Sequence, residues 1–359
     1  MKKQRLCRAA ALCLSVLLLL PALSGCKKEK YPMRSSTVKE STTVFTLGTV
    51  EVPFEVLHTF FTAAALASPG YGEGYFDGES GEERFTACLG TALSRIADVY
   101  ALFALAGEAG IDPYGEEITK AVQDMVTLSV DGGTDEEGNV YQGFGGDYNA
   151  YLDHQRKVLH MNDSVSRLIF RYAETEKRLI AHHRKNTGVT DAEVAAFFTG
   201  EDCLHIEWLH QTVREGVDAR RLLETAREKL LERGVNGGEL PADMLAQYSD
   251  LSGTSAIDTT GFYISPRSLE SKYASVTEAA FSLPVGGLSE VIEANGGYFL
   301  VYRMEKKPED LTGRAQEIKA LCLTDRFYGE VSARSAELLS GAAYTELFHT
   351  LTAAELLED

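Results

Sequence analysis

The sequence predicts an α+β protein: a helical domain, then a small antiparallel sheet flanked by helices. Three observations carry this. From Pro53 to Gly200 apolar residues recur at three- and four-residue spacing in several long runs, the period of helices with one buried face. At Cys203-Leu204-His205-Ile206-Glu207-Trp208-Leu209-His210 the pattern switches to a strand. From Tyr273 to Met304 a short helix, an apolar turn and a β-rich hairpin follow in order.

Residues 1–25 read as a segment outside the fold. Lys2, Lys3, Arg5 and Arg8 precede a charge-free apolar run, Ala9 to Leu20. That run is shorter than the ~18 residues a membrane helix needs and fits a signal-peptide core. It ends in Leu23-Ser24-Gly25-Cys26, which looks like a bacterial lipobox, with Cys26 as the lipid-bearing first residue of the mature chain. The alternative is an ordinary cleaved signal with a chance cysteine. Stable anchoring takes at least two acyl chains, because one holds weakly. Residues 26–43, polar and rich in Ser and Thr, read as a flexible tether.

Removing the first 25 residues takes the formal net charge from −18 to −22. That balance argues against nucleic acid, whose phosphates call for Lys and Arg. Of six cysteines, Cys88, Cys203 and Cys322 remain after the signal and Cys26 are set aside. Widely spaced and odd in number, they read as buried thiols and not as a disulfide framework.

Residues 44–200 form the predicted helical domain. Val44 to Val52 alternates around Gly48 as a strand or hairpin would, and Pro53 opens a helix with Phe54, Leu57, Phe61 and Ala65 on its buried stripe. The longest helical pattern, Glu82 to Gly110, carries Phe85, Leu89, Leu93, Ile96, Tyr100 and Phe103. Asp112-Pro113 offers a cap and first position for the next helix. Asp131 to Asp147 is acidic and glycine-rich, lacks the spacing of a calcium loop, and reads as a solvated insertion. Helices follow at Tyr148–His160 and Asp163–Lys185, and Thr190-Asp191-Ala192-Glu193 is a capping box.

Residues 201–308 form the second domain. After the strand comes an amphipathic helix, Asp218 to Arg233, with Leu222, Leu223, Ala226 and Leu230 inside, and then a helix at Leu240–Tyr248. Ser275 is placed to cap a helix carrying Val276, Ala279, Ala280 and Phe281. Leu283 to Leu288 turns the chain, and strands at Ser289–Ile292 and Tyr298–Tyr302 flank a Gly296-Gly297 turn. In the tail, residues 309–359, Ala315–Tyr328 and Val331–Leu339 are helical. Nothing calls for a cofactor or a metal: Cys203 and His205 share one strand face, His210 faces the other way, and no fourth ligand is suitably spaced. No Ser-His-Asp set, phosphate loop or dinucleotide fingerprint is present.

The segments AAFSL, VGGLSE and GGYFLVYR within Tyr273–Met304 resemble the C-terminal half of a parvulin-type peptidyl-prolyl isomerase domain. The Cys203–His210 strand, Gln247-Tyr248-Ser249-Asp250 and Thr260-Gly261-Phe262-Tyr263 extend the resemblance over residues 201 to 308. The strand-like start and helices before it resemble the helical chaperone domain of extracytoplasmic foldases of the SurA and PrsA type, in which a C-terminal helix returns to complete that domain. The resemblance implies a lipoprotein on the extracytoplasmic face of a bacterial membrane that binds unfolded, newly exported polypeptides. A dimer through the helical domain is left open.

The resemblance also assigns a site. His205 stands at the family's first histidine, Phe281 at the pocket phenylalanine and Tyr263 at a second pocket aromatic, with Asp250 close to the acidic position. Phe299 replaces the second histidine, Leu251 the Cys or Asp, and Lys272 falls near the pocket methionine. The polar rim that would favour a twisted amide, against a barrier of ~18–20 kcal/mol, thus keeps one of three members. Three readings stay open: a foldase with weak prolyl isomerase activity, a non-catalytic holding chaperone, and a structural surface lipoprotein.

Overall fold

The computed structural model describes residues 29–135, 138–250, 260–269 and 273–358. The signal segment, Cys26, Leu251 and Lys272 lie outside the described residues.

The helical domain opens on a hairpin, β1 (Thr43–Leu47) and β2 (Val50–Pro53), which turns at Gly48 with φ of 62°. Pro53 ends the strand and caps α1 (Phe54–Leu66), whose Phe54, Leu57, Phe61 and Ala65 are buried. The long α2 (Gly81–Glu108) buries Ile96, Tyr100 and Phe103 against it. Asp112-Pro113 does not start the next helix: Asp112 accepts from the Tyr114 N–H at 2.9 Å and closes a turn, and α3 begins later, at Glu116–Asp131. The Asx-turn takes the capping carboxylate for itself. The acidic insertion folds back through a two-residue ladder, β3 (Gly133–Thr134) and β4 (Val140–Tyr141). Asp147 then caps α4 (Tyr148–Leu159), and Asn162 caps α5 (Asp163–Asn186). Thr190 and Glu193 make the reciprocal box that opens α6 (Asp191–Thr199).

The segment read as a tether is folded from residue 30 onward. Tyr31 is buried, and its carbonyl accepts from Arg167 Nη2 at 2.7 Å. The Arg34 N–H donates to Asp163 at 2.7 Å. Backbone groups of Tyr31 and Arg34, with the Lys30 and Arg34 side chains, hydrogen-bond the segment to α4, α5 and the end of α3.

In the second domain β5 (Leu204–Thr212) runs through the centre. Beyond it come α7 (Ala219–Arg233), α8 (Ala242–Tyr248), β6 (Phe262–Ile264), α9 (Ala274–Ser282), β7 (Ile292–Ala294) and β8 (Gly297–Met304). The sheet order is β6-β5-β8-β7, antiparallel throughout. Asn295 (φ 47°) and Gly296 (φ 69°) form the hairpin turn, one residue earlier than Gly296-Gly297, because both central residues of such a turn need positive φ. The α7 and α8 side packs Leu209, Leu300 and Tyr302 on Leu223, Ala226 and Met244. The opposite side packs Leu204, Ile206, Phe299 and Val301 on Val276 and Ala280 of α9. Ser275 is the second residue of α9, which has no side-chain cap. Leu222 is exposed and not in the core.

The two helical stretches expected at Ala315–Tyr328 and Val331–Leu339 are one helix. After α10 (Asp310–Gly313), α11 (Ala315–Ser340) continues without a break. Its first half packs Ile318, Leu321 and Cys322 against Val194, Phe198, Cys203 and Tyr263. Its second half delivers Phe327 and Val331 to the helical core. β9 (Ala343–Tyr344) then pairs with β1, and α12 (Glu346–Thr350) and α13 (Ala353–Leu357) close over it.

Candidate functional site

The four residues assigned by resemblance do not meet. Along β5 alternate side chains point to opposite sides. His205 and Tyr263 are direct cross-strand partners, with rings stacked 4.4 Å apart. Phe281 belongs to the cluster on the other side, with Leu204 and Ile206. Asp250 sits at the far end of β5, accepting from the Thr212 N–H at 2.7 Å and pairing with Arg214. Thr212 lies seven residue steps along the strand from His205, about 23 Å at the usual rise.

Nor is His205 available to a substrate. It is 2% exposed. Nδ1 lies 2.9 Å from the Glu305 carbonyl and Nε2 2.7 Å from the Thr260 carbonyl. Tyr263 is similarly committed. Its hydroxyl donates to Asp310 at 2.6 Å, Phe198 lies against it, and the Arg314 guanidinium lies 5.0 Å over its ring. Both residues therefore belong to the joint between sheet and helical domain. Burial pushes the neighbouring Cys203 thiol up to about 12, so it is neutral and a poor metal ligand.

The larger group of aromatic rings lies on the other face. Trp208, two residues on from Ile206, shares its side of β5, and so does His210. Around Trp208 stand Phe262 (ring centroids 4.8 Å), Phe299 (5.3 Å) and Tyr273 (6.0 Å). His210 lies 4.5 Å from Phe299. Phe299 is buried, while Trp208, Phe262, Tyr273 and Phe281 are half-buried, so this sheet presents the faces and edges of several large rings together. Of these, Trp208 and Tyr273 were given no role from the sequence, His210 was weighed only as a metal ligand, and Phe262 was read only as part of a turn motif. The parity of β5 groups Trp208 and His210 with Leu204 and Ile206, and the packing of α9 marks which face that is.

Leu269 joins this cluster to a second feature. It packs with the aromatic face and also lines a cleft of about 650 Å³ between the domains. Tyr172, Tyr328 and Leu339 supply apolar wall there, and Asp98 and Glu176 supply acid. Burial raises both carboxyls above their ordinary range; hydrogen bonds from Tyr172 and Tyr328 oppose this only in part at Glu176.

His210 gives the face a pH signature. Burial holds its imidazole below the ordinary 6.5, against the opposing pull of Asp250. As pH falls through 6.5 the unfolded chain takes up this proton before the folded chain does, so stability is lost in that direction. Melting temperatures followed from pH 7.5 to 5.5 should fall more steeply for the native protein than for His210→Gln. Parallel curves would exclude a buried, neutral His210.

A small antiparallel sheet carries α7 and α8 on one face and α9 with clustered half-buried rings on the other, and it meets a helical domain at a cleft, an α+β architecture. No protein-family model and no curated protein matches this one. Among solved structures it is similar to the foldase protein PrsA from Streptococcus pneumoniae str. Canada MDR_19A, at 13% identity over 88% of this chain and 97% of that one, with a TM-score of 0.32. It is also similar to PrsA from Bacillus subtilis, at 15% identity over 72% of this chain and 87% of that one, with a TM-score of 0.26. A third likeness is to the peptidylprolyl isomerase PrsA from Bacillus anthracis, at 14% identity over 69% and 96%, with a TM-score of 0.25. These are the foldases whose order of elements the sequence resembles.

Proposed function

We propose that the protein is an extracytoplasmic holding chaperone of the foldase class, anchored through lipid on Cys26, that grips unfolded exported polypeptide on the Trp208 face. The observation that supports this reading is the grouping of Trp208, Phe262, Tyr273 and Phe281, half-buried together beside α9. Aromatic side chains are large, stiff anchors for apolar residues of a client. Leu269 extends the apolar path into the interdomain cleft, where Tyr172, Tyr328 and Leu339 continue it. The mature chain's net charge of −22 favours clients with basic residues at longer range.

The test is binding of an unfolded, reduced client to the full chain, with suppression of its aggregation as the second readout. Trp208→Ala should weaken client affinity by about thirtyfold, the roughly 2 kcal/mol of an aromatic hot spot. His205→Ala should leave affinity unchanged at temperatures where circular dichroism shows both variants folded. Native-like affinity in folded Trp208→Ala would sink the reading.

A second reading, slow prolyl exchange on the same face, is favoured by one observation: His210 stands beside Phe299 on the aromatic side of β5. Any such activity runs through His210 and not His205. Turnover of a proline-containing peptide that survives His210→Ala and disappears with His205→Ala would refute it.

A further inference from the structure

We propose that residues 30–40 are a clamp that seats the helical domain directly against the lipid surface, with the α3–α4 end towards the headgroups. The inference rests on the anchoring reading of Cys26. Tyr31 is 8% exposed. Its hydroxyl donates to Asp131 at 2.6 Å, and its ring lies 5.1 Å from that of Tyr148. Its carbonyl is held by Arg167, which is itself buried with Asp163. Arg34 adds bonds from its N–H to Asp163 and from its guanidinium to Asn149. These contacts fix the chain to the C-terminal end of α3 and the N-terminal ends of α4 and α5.

From Cys26 to Tyr31 is five residues, a reach of at most about 18 Å. The β3–β4 hairpin springs from the same place: Tyr31 touches both Asp131, which ends α3, and Gly146, which precedes α4. Anchor and hairpin base are therefore held close together. Asp131, Asp135 and Asp147 at this end are offset by Lys30, which pairs with Asp131, and by Lys27 and Lys28 beside the anchor, and zwitterionic phosphatidylcholine offers no net headgroup charge to draw it in. The short covalent reach draws it in instead, and the proximity is independent of salt.

The experiment uses the mature chain from Cys26, coupled through that thiol to a maleimide phospholipid in phosphatidylcholine vesicles. Cys88, Cys203 and Cys322 are buried and do not compete. A fluorescent amino acid replaces Val140, which is 78% exposed at the hairpin, and a quencher is carried on the headgroups. The native clamp should give strong quenching, unchanged in high salt. Freeing the clamp with Tyr31→Ala and Arg34→Ala lengthens the free tether from about 12 to about 22 Å root-mean-square and should lower quenching about threefold. A Gly/Ser insertion of about 20 residues after Lys28, which leaves the clamp intact, should lower it at least as far. Weak quenching in the native chain, or equal quenching in native, freed and lengthened chains, would overturn the clamp. In cells, an alkyne fatty acid should label the protein and fail to label Cys26→Ser. Absence of label overturns the anchoring reading, and the membrane as partner with it, while the vesicle result decides the clamp separately.

Discussion

A chain truncated after Lys307 should lose the cooperative unfolding transition of its helical domain, although that domain begins some 260 residues earlier in the sequence. The reason is that the domain's core is completed from the tail. Phe327 and Val331 of α11 are 3% and 4% exposed among the residues of α1 and α2. β9 supplies the third strand of the first sheet, against β1. Thr345 donates to the Val44 carbonyl at 2.8 Å, and Leu356, with no exposed surface, packs under α1 where Thr62 donates to its carbonyl. Each large apolar side chain withdrawn forfeits ~1.5–3 kcal/mol of burial, and domains of this kind keep only ~5–15 kcal/mol in total. Phe327→Ala alone should cost about 3–5 kcal/mol. Calorimetry of the truncated chain gives the answer: a helical-domain transition unchanged in temperature and enthalpy would mean that α11 rides on the surface.

How much of this was legible follows from how far each signal reaches along the chain. The capping box at Thr190, the Phe54-Leu57-Phe61-Ala65 stripe and the switch to a strand at Cys203 are local patterns, and the fold realises each of them. Long-range choices were not written locally. The alternation of β5 separates His205 from Trp208, but it does not say which parity receives α9 and which receives α7. That is settled by Val276 and Ala280 fitting against Ile206 and Val301. The histidine at the family position, His205, is buried between two backbone carbonyls at a domain joint, whereas His210, at the end of the same strand, lies on the half-buried aromatic side. Residues 30–40 failed for a related reason. Their Ser, Thr and Lys content is that of a linker, and only the partners on α4 and α5, more than a hundred residues away, convert it into structure.

The same partners make Arg167 the side chain whose loss should be most costly outside the apolar core. Arg167 and Asp163 form an ion pair, Nε to Oδ1 at 3.0 Å, with side chains 6% and 2% exposed. Arg167 also binds the Tyr31 carbonyl and the Tyr148 hydroxyl. Replacing it with methionine keeps most of the volume and removes the charge, leaving the Asp163 carboxylate buried beside an unmet carbonyl. Breaking a buried pair in this way costs about 3–5 kcal/mol. The Tyr148 hydroxyl, 2.6 Å from Asp163, and the N-terminus of α5 soften the loss without replacing the cation. Removing both charges, Asp163→Asn with Arg167→Met, should recover a large part of it, because the penalty lies in the stranded carboxylate. Urea midpoints of the two single variants and the double variant would show this as strong non-additivity. In Arg167→Met the clamp should also open, so trypsin should cut at Lys30 and Arg34 well before the domain unfolds globally. Additive midpoints, or a clamp as resistant to trypsin as in the native chain, would mean that the N-terminal segment holds by its own contacts and that the buried pair is only a neighbour.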